Sequence, residues 1–395
     1  MSFLGYVRPD GSVGIRNHVL VIPGGLISSK ICGFVTGAKT IITADVGSGR
    51  TKKDRETIAR VLIGLGRNPN VAGVIVHDVS YGSGYPELKP ELIASRIAET
   101  GKPVEHISSR AYPDSLQVIQ RGITVARQMV RDASKARREL VDDSHLFVAV
   151  KCGRSDTTSG LAGNPVLGYF IDKVVAAGGT ALFGETTEVI GAEHILAKNT
   201  VNKQVAAALL KAVHVVEERA RSCGEDIRTI NPVPSNIAGG ITTLEEKSLG
   251  AIAKAGTYPI QGVLKYGEIP KGKGLYFVDN WMTQLSIFPG YAAAGATLLF
   301  FQLGGGGMLE DTLLSPSPAV TSPLVWTTAN YRTYQVAGES IDFYSGAVIN
   351  GKESIEEAGE RLYALVTDIA SGTVTKTETL NHTDPIQMYL QDAPY

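Results

Sequence analysis

Glu185, Glu188, Glu193 and His194 fall within ten positions in FGETTEVIGAEHIL (183–196), directly behind the apolar run Thr180-Ala181-Leu182-Phe183. Three carboxylates behind a buried strand require a positive partner, because uncompensated buried charge is expensive. With a helix starting at Glu185, Glu185 and Glu188 share a face at i, i+3, and Glu193 and His194 follow a turn or two later. Carboxylate oxygens together with an imidazole suit a hard or borderline divalent cation. The spacing equally fits a structural role, in which the acids favour a helix dipole and His194 is packed or exposed.

Three further clusters follow apolar runs or turns. KCGRSDTTSGLAGNP (151–165) offers Cys152, Ser155, Asp156, Thr157, Thr158, Ser159 and Asn164 on a glycine-bent loop that ends in Asn164-Pro165, a helix start. Such a loop cradles an anion or a hydroxy acid, or else caps itself through Ser/Thr turns with Cys152 as a small core residue. In SNIAGGITTLEEKSLGAIAKAG (235–256), Asn236 precedes a Gly239-Gly240 turn, and Thr243 with Glu246 forms a capping box ahead of Lys247. Glu245, Glu246 and Lys247 stand in the first turn of the helix it opens; Lys247 is a candidate to hold a substrate carboxylate or move a proton, and a lone surface lysine is the alternative. FFQLGGGG (300–307) has four glycines behind a strand but neither GxxxxGK[ST] nor a GxGxxG that opens a βαβ unit, so its nucleotide signal is weak.

Arg16, Asn17, Asp279, Arg332 and Asp342 stand at predicted strand edges, and His77 and His106 close strands. No Cys/His pair has zinc-finger spacing, and no G-x-S-x-G elbow marks a serine hydrolase.

The elements that must position these groups are legible as short apolar runs: 18–23, 40–44, 71–77, 145–151, 180–184, 274–279 and 297–301. Segments of helical period at 51–66, 86–101, 164–179 and 201–222 lie between them, and a last amphipathic helix spans 354–372. The alternation predicts an α/β fold with two Rossmann-like, doubly wound, mostly parallel sheet domains, whose ligands bind at the carboxyl ends of the strands. One long helix over 115–144 is expected to bridge an N-terminal domain, 1–135, and a C-terminal domain, 136–395, that carries most of the site.

With 395 residues the chain exceeds the size of one ordinary core, and Lys+Arg 38 against Asp+Glu 39 leaves no basic field to attract nucleic acid or an anionic membrane. Three scattered cysteines make no disulfide framework, the polar N-terminus has no signal-peptide core, and no apolar run is long enough to span a bilayer. A cytoplasmic protein is expected.

GYVRPDGSVGIRN (5–17), KCGRSDTTSG (151–160), NPVLG (164–168), GETTEVIGAEHIL (184–196) and NIAGGITTLEEKSLGAIAKAG (236–256), in one order over nearly the full length, resemble the altronate/galactarate dehydratase family. The resemblance implies a metal-dependent lyase that eliminates water, or sulfite, from a small 2-hydroxy acid such as a sugar acid or sulfolactate, giving a 2-oxo acid. It implies a divalent metal, Fe2+ foremost with Mn2+ or Mg2+ as substitutes, held by Cys152, Glu185 and Glu193. Glu188, His194 and Lys247 are the expected catalytic groups; Ser155, Asp156, Thr157, Asn236, Glu245 and Glu246 are expected to bind substrate. The family further implies a separate small subunit of the SAF type, since GYVRPDG begins at residue 5, and a homo-oligomer is expected. Where the family carries an H-G-x-G-C-G-like stretch this chain has HDVSYGSGY (77–85), and where it tends to a Thr-Gly-rich loop this chain has Gln302-Leu303-Gly304-Gly305-Gly306-Gly307. A non-catalytic ligand-binding or scaffold subunit is the alternative reading, and a nucleotide-dependent oxidoreductase a third that the missing fingerprint disfavours.

Overall fold

In the computed structural model of the chain, residues 2–45, 47–78, 84–108, 110–112, 114–306, 320–380 and 385–392 are described. The chain opens with β1 (Ser2–Val7) and β2 (Val13–Gly14), an antiparallel pair. A parallel sheet follows from β3 (His18–Ile22), β4 (Ala38–Thr40), β5 (Val71–His77) and β6 (Val104–Ile107), in the order β4-β3-β5-β6. β7 (Glu139–Asp142) then returns to pair antiparallel with β1. A second parallel sheet comprises β8 (Phe147–Gly153), β9 (Thr180–Phe183), β10 (Ile260–Leu264), β11 (Gly274–Val278), β12 (Leu298–Leu303), β13 (Leu324–Thr328) and β14 (Phe343–Tyr344). Its order is β10-β11-β9-β8-β12-β13-β14.

Strands covered on both faces read as unbroken apolar runs, and β9, β11, β12 and β13 are buried at every position. One face of the large sheet packs Val150, Phe183, Phe277 and Phe300 against the helices Asn164–Ala176 and Ile355–Ala370. The other packs Leu182, Tyr276, Phe301 and Trp326 against the helix Gln284–Ala293. The smaller sheet is likewise covered, by Lys52–Arg67 and Pro90–Ala98 on one face and by Gly25–Phe34 and Ser115–Ala133 on the other. The α/β architecture with doubly wound parallel sheets is as the alternation of elements predicts.

Strand order in the large sheet reverses beside β8. From β8 the chain steps to β9 on one side, and after β11 it crosses over to lay β12 on the other. A crevice opens at such a point beyond the carboxyl ends of the strands, because the two connections leave in opposite directions. The loops after β8 and β12 flank it.

Two local expectations differ from the structure. The long helix over 115–144 stops at Ala133, and Glu139–Asp142 becomes β7, since the edge of β1 is there to pair with it. The helix expected from Glu185 is instead a single 3-10 turn, Thr186–Glu188, preceded by Glu185 in the left-handed region (φ 68°) and followed by a separate helix, Glu193–Lys198.

The two sheets are tied together closely. Arg8 donates to Pro69 O, Asn17 Oδ1 and Arg16 O; Arg16 reaches Ile369 O, Thr373 O and the Glu378 carboxylate at 2.6 Å. The GYVRPDGSVGIRN stretch is thus a clasp, and Arg16 and Asn17 work there. Residues 386–392 fold back onto the smaller sheet's unit, with Ile386 N donating to Ile42 O and Gln391 N to Asp54 Oδ1. Helix Lys52–Arg67 meets helix Gln284–Ala293 so closely that a Cβ on Gly64 would lie 2.2 Å from the carbonyl oxygen of Ala293. Gly64→Ala therefore forces the two helices apart and costs about 1–3 kcal/mol in urea unfolding. Gly33→Ala, with nothing within 4 Å of its Cβ, is the matched helical control and is neutral or stabilising. Equal stability of the two variants would show that this junction does not hold the units together.

Candidate active site

The carboxyl ends of four strands of the large sheet converge on the crevice. β8 ends in Lys151, Cys152 and Gly153, β9 leads to Glu185, β11 to Asn280, and the loop after β12 is met by Asn330 from beyond β13. Extended backbone cannot turn a carboxylate back under the sheet edge; the left-handed conformation of Glu185 does so. Asn280 fixes that conformation, since its Oδ1 accepts the Glu185 N–H at 2.8 Å.

Glu185 is fully buried, and its charge is met by Lys254 Nζ at 2.8 Å and Lys151 Nζ at 3.2 Å, with Cys152 N–H donating to Oε2 at 3.1 Å. Burial pushes the Glu185 carboxyl up, but the Lys254 and Lys151 ammonium groups outweigh it and hold the group below the usual carboxylate range. Burial likewise pushes Lys254 down, and the Glu185 carboxylate more than offsets it, so this fully buried lysine stays above its ordinary value. Two ammonium groups against one carboxylate leave one surplus positive charge beneath the crevice floor. Lys151 also lies over the Phe301 ring, 4.8 Å from its centroid, and donates to Cys152 O at 2.6 Å.

A second ion pair stands beside the first. Lys247 Nζ lies 3.0 Å from Glu188 Oε2 and donates to Asn231 Oδ1 at 2.8 Å. Both pairs border a cavity of about 350 Å3 that Arg154, Asn236 and Met282 also line. Asn236 Nδ2 donates to Ser155 O at 2.9 Å, and its buried Oδ1 has no partner among the described residues. Ser155 Oγ contacts Cys152 Sγ at 3.2 Å, and Asn164 Nδ2 reaches the same sulfur at 3.5 Å.

Cys152, Ser155, Glu185, Glu188, Asn236 and Lys247 are therefore brought together around one cavity. Thr157 and Glu246 line a neighbouring one. Asp156 is also buried between the loops, but its oxygens are taken up by the protein. Oδ1 accepts from Thr158 Oγ1, Ser159 N and Ser159 Oγ, and Oδ2 from Gly305 N and Asn330 Nδ2, both at 2.7 Å. Asp156 staples the loops that follow β8, β12 and β13 while still bordering the neighbouring cavity.

Other expectations require correction. Glu193 accepts from Arg228 at 2.9 Å and from the Gly191 N–H, so its charge is spent on structure, while His194 beside it is exposed and lines neither cavity. Both stand on the separate helix Glu193–Lys198. Glu245 is exposed. Glu246 completes the cap one residue earlier than expected: Thr243 Oγ1 accepts the Glu246 N–H, and Glu246 Oε2 accepts from Thr242 N and Oγ1. The expected ligand set of Cys152, Glu185 and Glu193 does not converge, and among the described residues no three His, Cys, Asp or Glu side chains are placed to hold a metal ion. Its best carboxylate already has two ammonium partners, so the donor set does not fit a divalent cation. Of HDVSYGSGY, residues 79–83 lie outside the described residues, as does Gly307 of FFQLGGGG.

Lys151, Lys254, Arg154 and Asn280 were not marked by the sequence reading. A signal for Lys254 existed: a lone charge between alanines in AIAKAG, where a surface helix would show several.

A parallel sheet with a crevice at the carboxyl ends of its strands, lined by buried carboxylate and ammonium pairs, has the architecture of an α/β enzyme. The chain belongs to the D-galactarate/altronate dehydratase family, a family of lyases. Residues 143–391 match its "D-galactarate/Altronate dehydratase, C-terminal" model, and residues 5–134 its "D-galactarate dehydratase/Altronate hydrolase, second domain" model. The chain is 36% identical to the (2R)-sulfolactate sulfo-lyase subunit beta of Chromohalobacter salexigens over 96% of this chain and 95% of that one. It is 29% identical to the altronate dehydratase of Bacillus subtilis (95% of this chain, 75% of the relative) and 29% identical to the galactarate dehydratase (L-threo-forming) of Escherichia coli (94% and 73%).

Two predictions follow from this arrangement. Glu185→Gln strands two buried ammonium groups and lowers the unfolding free energy at pH 7 by about 3–5 kcal/mol. Because the folded carboxyl is depressed, its contribution is complete above the ordinary value of 4.5 and is lost as pH falls through the lowered one. The deficit against wild type must therefore shrink below pH 4.5; a constant deficit in urea melts would refute the ion-pair account. Glu193→Gln and His194→Ala change turnover less than about threefold, within the range of a surface substitution. A hundredfold loss in either would return that helix to the active site.

Proposed function

We propose that the chain eliminates the C3 substituent of a small 2-hydroxy acid to give a 2-oxo acid. The observation that carries the reading is the Glu188–Lys247 pair, buried at the wall of a cavity whose floor bears surplus positive charge. The substrate carboxylate enters beside Lys151 and Arg154. Glu188 takes the proton from C2, and the electron pair left behind spreads into the carboxylate as an enediolate, whose added charge the Lys151 ammonium opposes. The pair then forms the C2=C3 bond as the C3 substituent departs. A hydroxide accepts a proton from Lys247 and leaves as water; sulfite leaves with its own electron pair and needs no such help. The enol then ketonises to the 2-oxo acid.

The relatives' names support this class of substrate, one acting on sulfolactate and the others on sugar acids. Metal dependence is a separate proposal carried by the family resemblance alone; since the donors among the described residues do not fit a divalent cation, it requires ligands beyond them. Metal analysis together with turnover in chelator tests it, and full activity of metal-free protein would dismiss it. The reading also includes a separate small subunit of the SAF type, supported by a relative named as one subunit of its enzyme, a homo-oligomer, and a cytoplasmic setting consistent with three unpaired cysteines. Among the described residues no helix is long and apolar enough to cross a membrane.

Incubation with aldonates, aldarates and sulfolactate, followed by assay for 2-oxo acid and sulfite, tests the function directly. Glu188→Gln lowers kcat by about 10²–10⁴-fold on every substrate turned over. Lys247→Met is at least tenfold more damaging when the leaving group is water than when it is sulfite. Equal losses on both would take the role of acid away from Lys247.

A further inference from the structure

Residues 224–240 run from the end of the helix Lys203–Ser222 towards the helix Leu244–Ile252 and border the cavity that holds Glu188 and Lys247. Ile227, Ile230, Asn231, Val233 and Asn236 of this segment form part of the cavity wall. The segment has almost no core of its own. Asn236 is the one buried residue between 224 and 240, and Ile230 and Ile237 are more than half exposed. A stretch that buries so little apolar surface is held by its polar fastenings, and these decide how firmly it stays closed.

Its fastenings among the described residues lie at both ends. Thr157 N–H and Oγ1 donate to Gly239 O at 3.2 and 3.1 Å, and Asn236 Nδ2 donates to Ser155 O. At the other end Arg228 bridges two carboxylates, donating through Nε to Glu217 Oε1 at 2.7 Å and through a terminal nitrogen to Glu193 Oε1 at 2.9 Å. One guanidinium shared by two carboxylates, 10% and 18% exposed, makes a network rather than an isolated surface pair. Arg228 stands on the short helix Ile227–Ile230, which Asp226 Oδ1 opens by accepting the Arg228 N–H and Asn231 closes by donating its N–H to Ile227 O. Where Arg228 is anchored therefore fixes where Asn231 is presented.

Asn231 in turn meets the proposed acid. Of the three donors of the Lys247 ammonium, Asn231 Oδ1 takes one at 2.8 Å and Glu188 another, and the third has no partner among the described residues. Without Asn231 the ammonium swings wholly onto Glu188, which withdraws the acid from the leaving group. We propose that Arg228 and Asn231 are positioning residues for acid-assisted departure: Arg228 latches the segment over the cavity through Glu193 and Glu217, and Asn231, carried on the same turn, holds the Lys247 ammonium towards the C3 substituent. The proposal rests on the lyase reading for the role of Lys247, whereas the latch stands on geometry alone.

The test pairs steady-state turnover of sulfolactate and of aldonates with amide hydrogen exchange followed by mass spectrometry. Asn231→Ala lowers kcat about tenfold or more where water leaves and less than about threefold where sulfite leaves, with KM little changed, because it acts through the acid. Arg228→Met gives the same split and speeds exchange across 227–238 by about tenfold, while the strands of the large sheet exchange as in wild type. Glu193→Gln leaves Arg228 on Glu217, so its exchange and turnover stay close to wild type, and Arg228→Lys, which reaches one carboxylate, falls between the two. In Asn231→Ala, a loss under about threefold with water as leaving group, or over about tenfold with sulfite, takes the positioning role away from that residue. Wild-type exchange of 227–238 in Arg228→Met overturns the latch. Should the wild-type protein turn over none of these acids, the lyase reading fails, and exchange in Arg228→Met still decides for or against the latch.

Discussion

Glu185 is a carboxylate with no exposed surface, and the crevice is organised by the need to neutralise it. Transferring an isolated carboxylate from water into protein costs several kcal/mol even after relaxation, so the fold that buries it must deliver cations with it. Lys151 comes from the strand alongside, and Lys254 from a 3-10 turn some seventy residues further on. Their attraction draws the Ala253–Ala255 turn, the end of β8 and the exit of β9 to one point. The backbone bend at Glu185 is the conformational expense of that convergence.

The consequence for function is electrostatic. On the proposed function, a substrate carboxylate supplies the negative charge that balances the floor's two ammonium groups and one carboxylate. When the C–H bond next to that carboxylate ionises, the charge on it grows, and fixed cations respond without having to reorganise. Glu188 and Lys247 form a separate ion pair one 3-10 turn away, the pair to which the proposed proton transfers are assigned. Asp156 contributes rigidity by joining three loops across the switch point, so the cavity is pinned on the side of β12 and β13 as well.

Much of this was legible in the sequence, for stated reasons. Runs such as VAGVIVH and GLYFVD are unbroken because parallel strands are covered on both faces, and β5 begins and ends where its run does. The crowding at Glu185 and Glu188 correctly marked a place where charge must be compensated. Its compensation was misread, because lysines distant in sequence are invisible to local spacing, whereas His194 is near in sequence and points elsewhere. Helical period also failed just past Gly184: the expected face shared by Glu185 and Glu188 presumed an α-helix, and a left-handed residue followed by a 3-10 turn reaches the same cavity by another route. Asp156 looked like a ligand because its type and loop are those of one, yet five internal donors saturate it. Short edge strands such as β2 and β7 carry no periodic signal, and only their pairing with β1 defines them.

The most direct test of the central claim is the rate at which a bound 2-hydroxy acid loses its C2 hydrogen, followed by proton NMR in deuterated buffer for wild type and Lys151→Met. Removing this lysine leaves Glu185 balanced by Lys254, so the fold keeps its charge pairing while the floor loses its surplus. The account predicts C2–H loss slower by about 10²–10³-fold in the variant, the cost of deleting one preorganised electrostatic donor. Loss of the C2 hydrogen at the wild-type rate in Lys151→Met would contradict it.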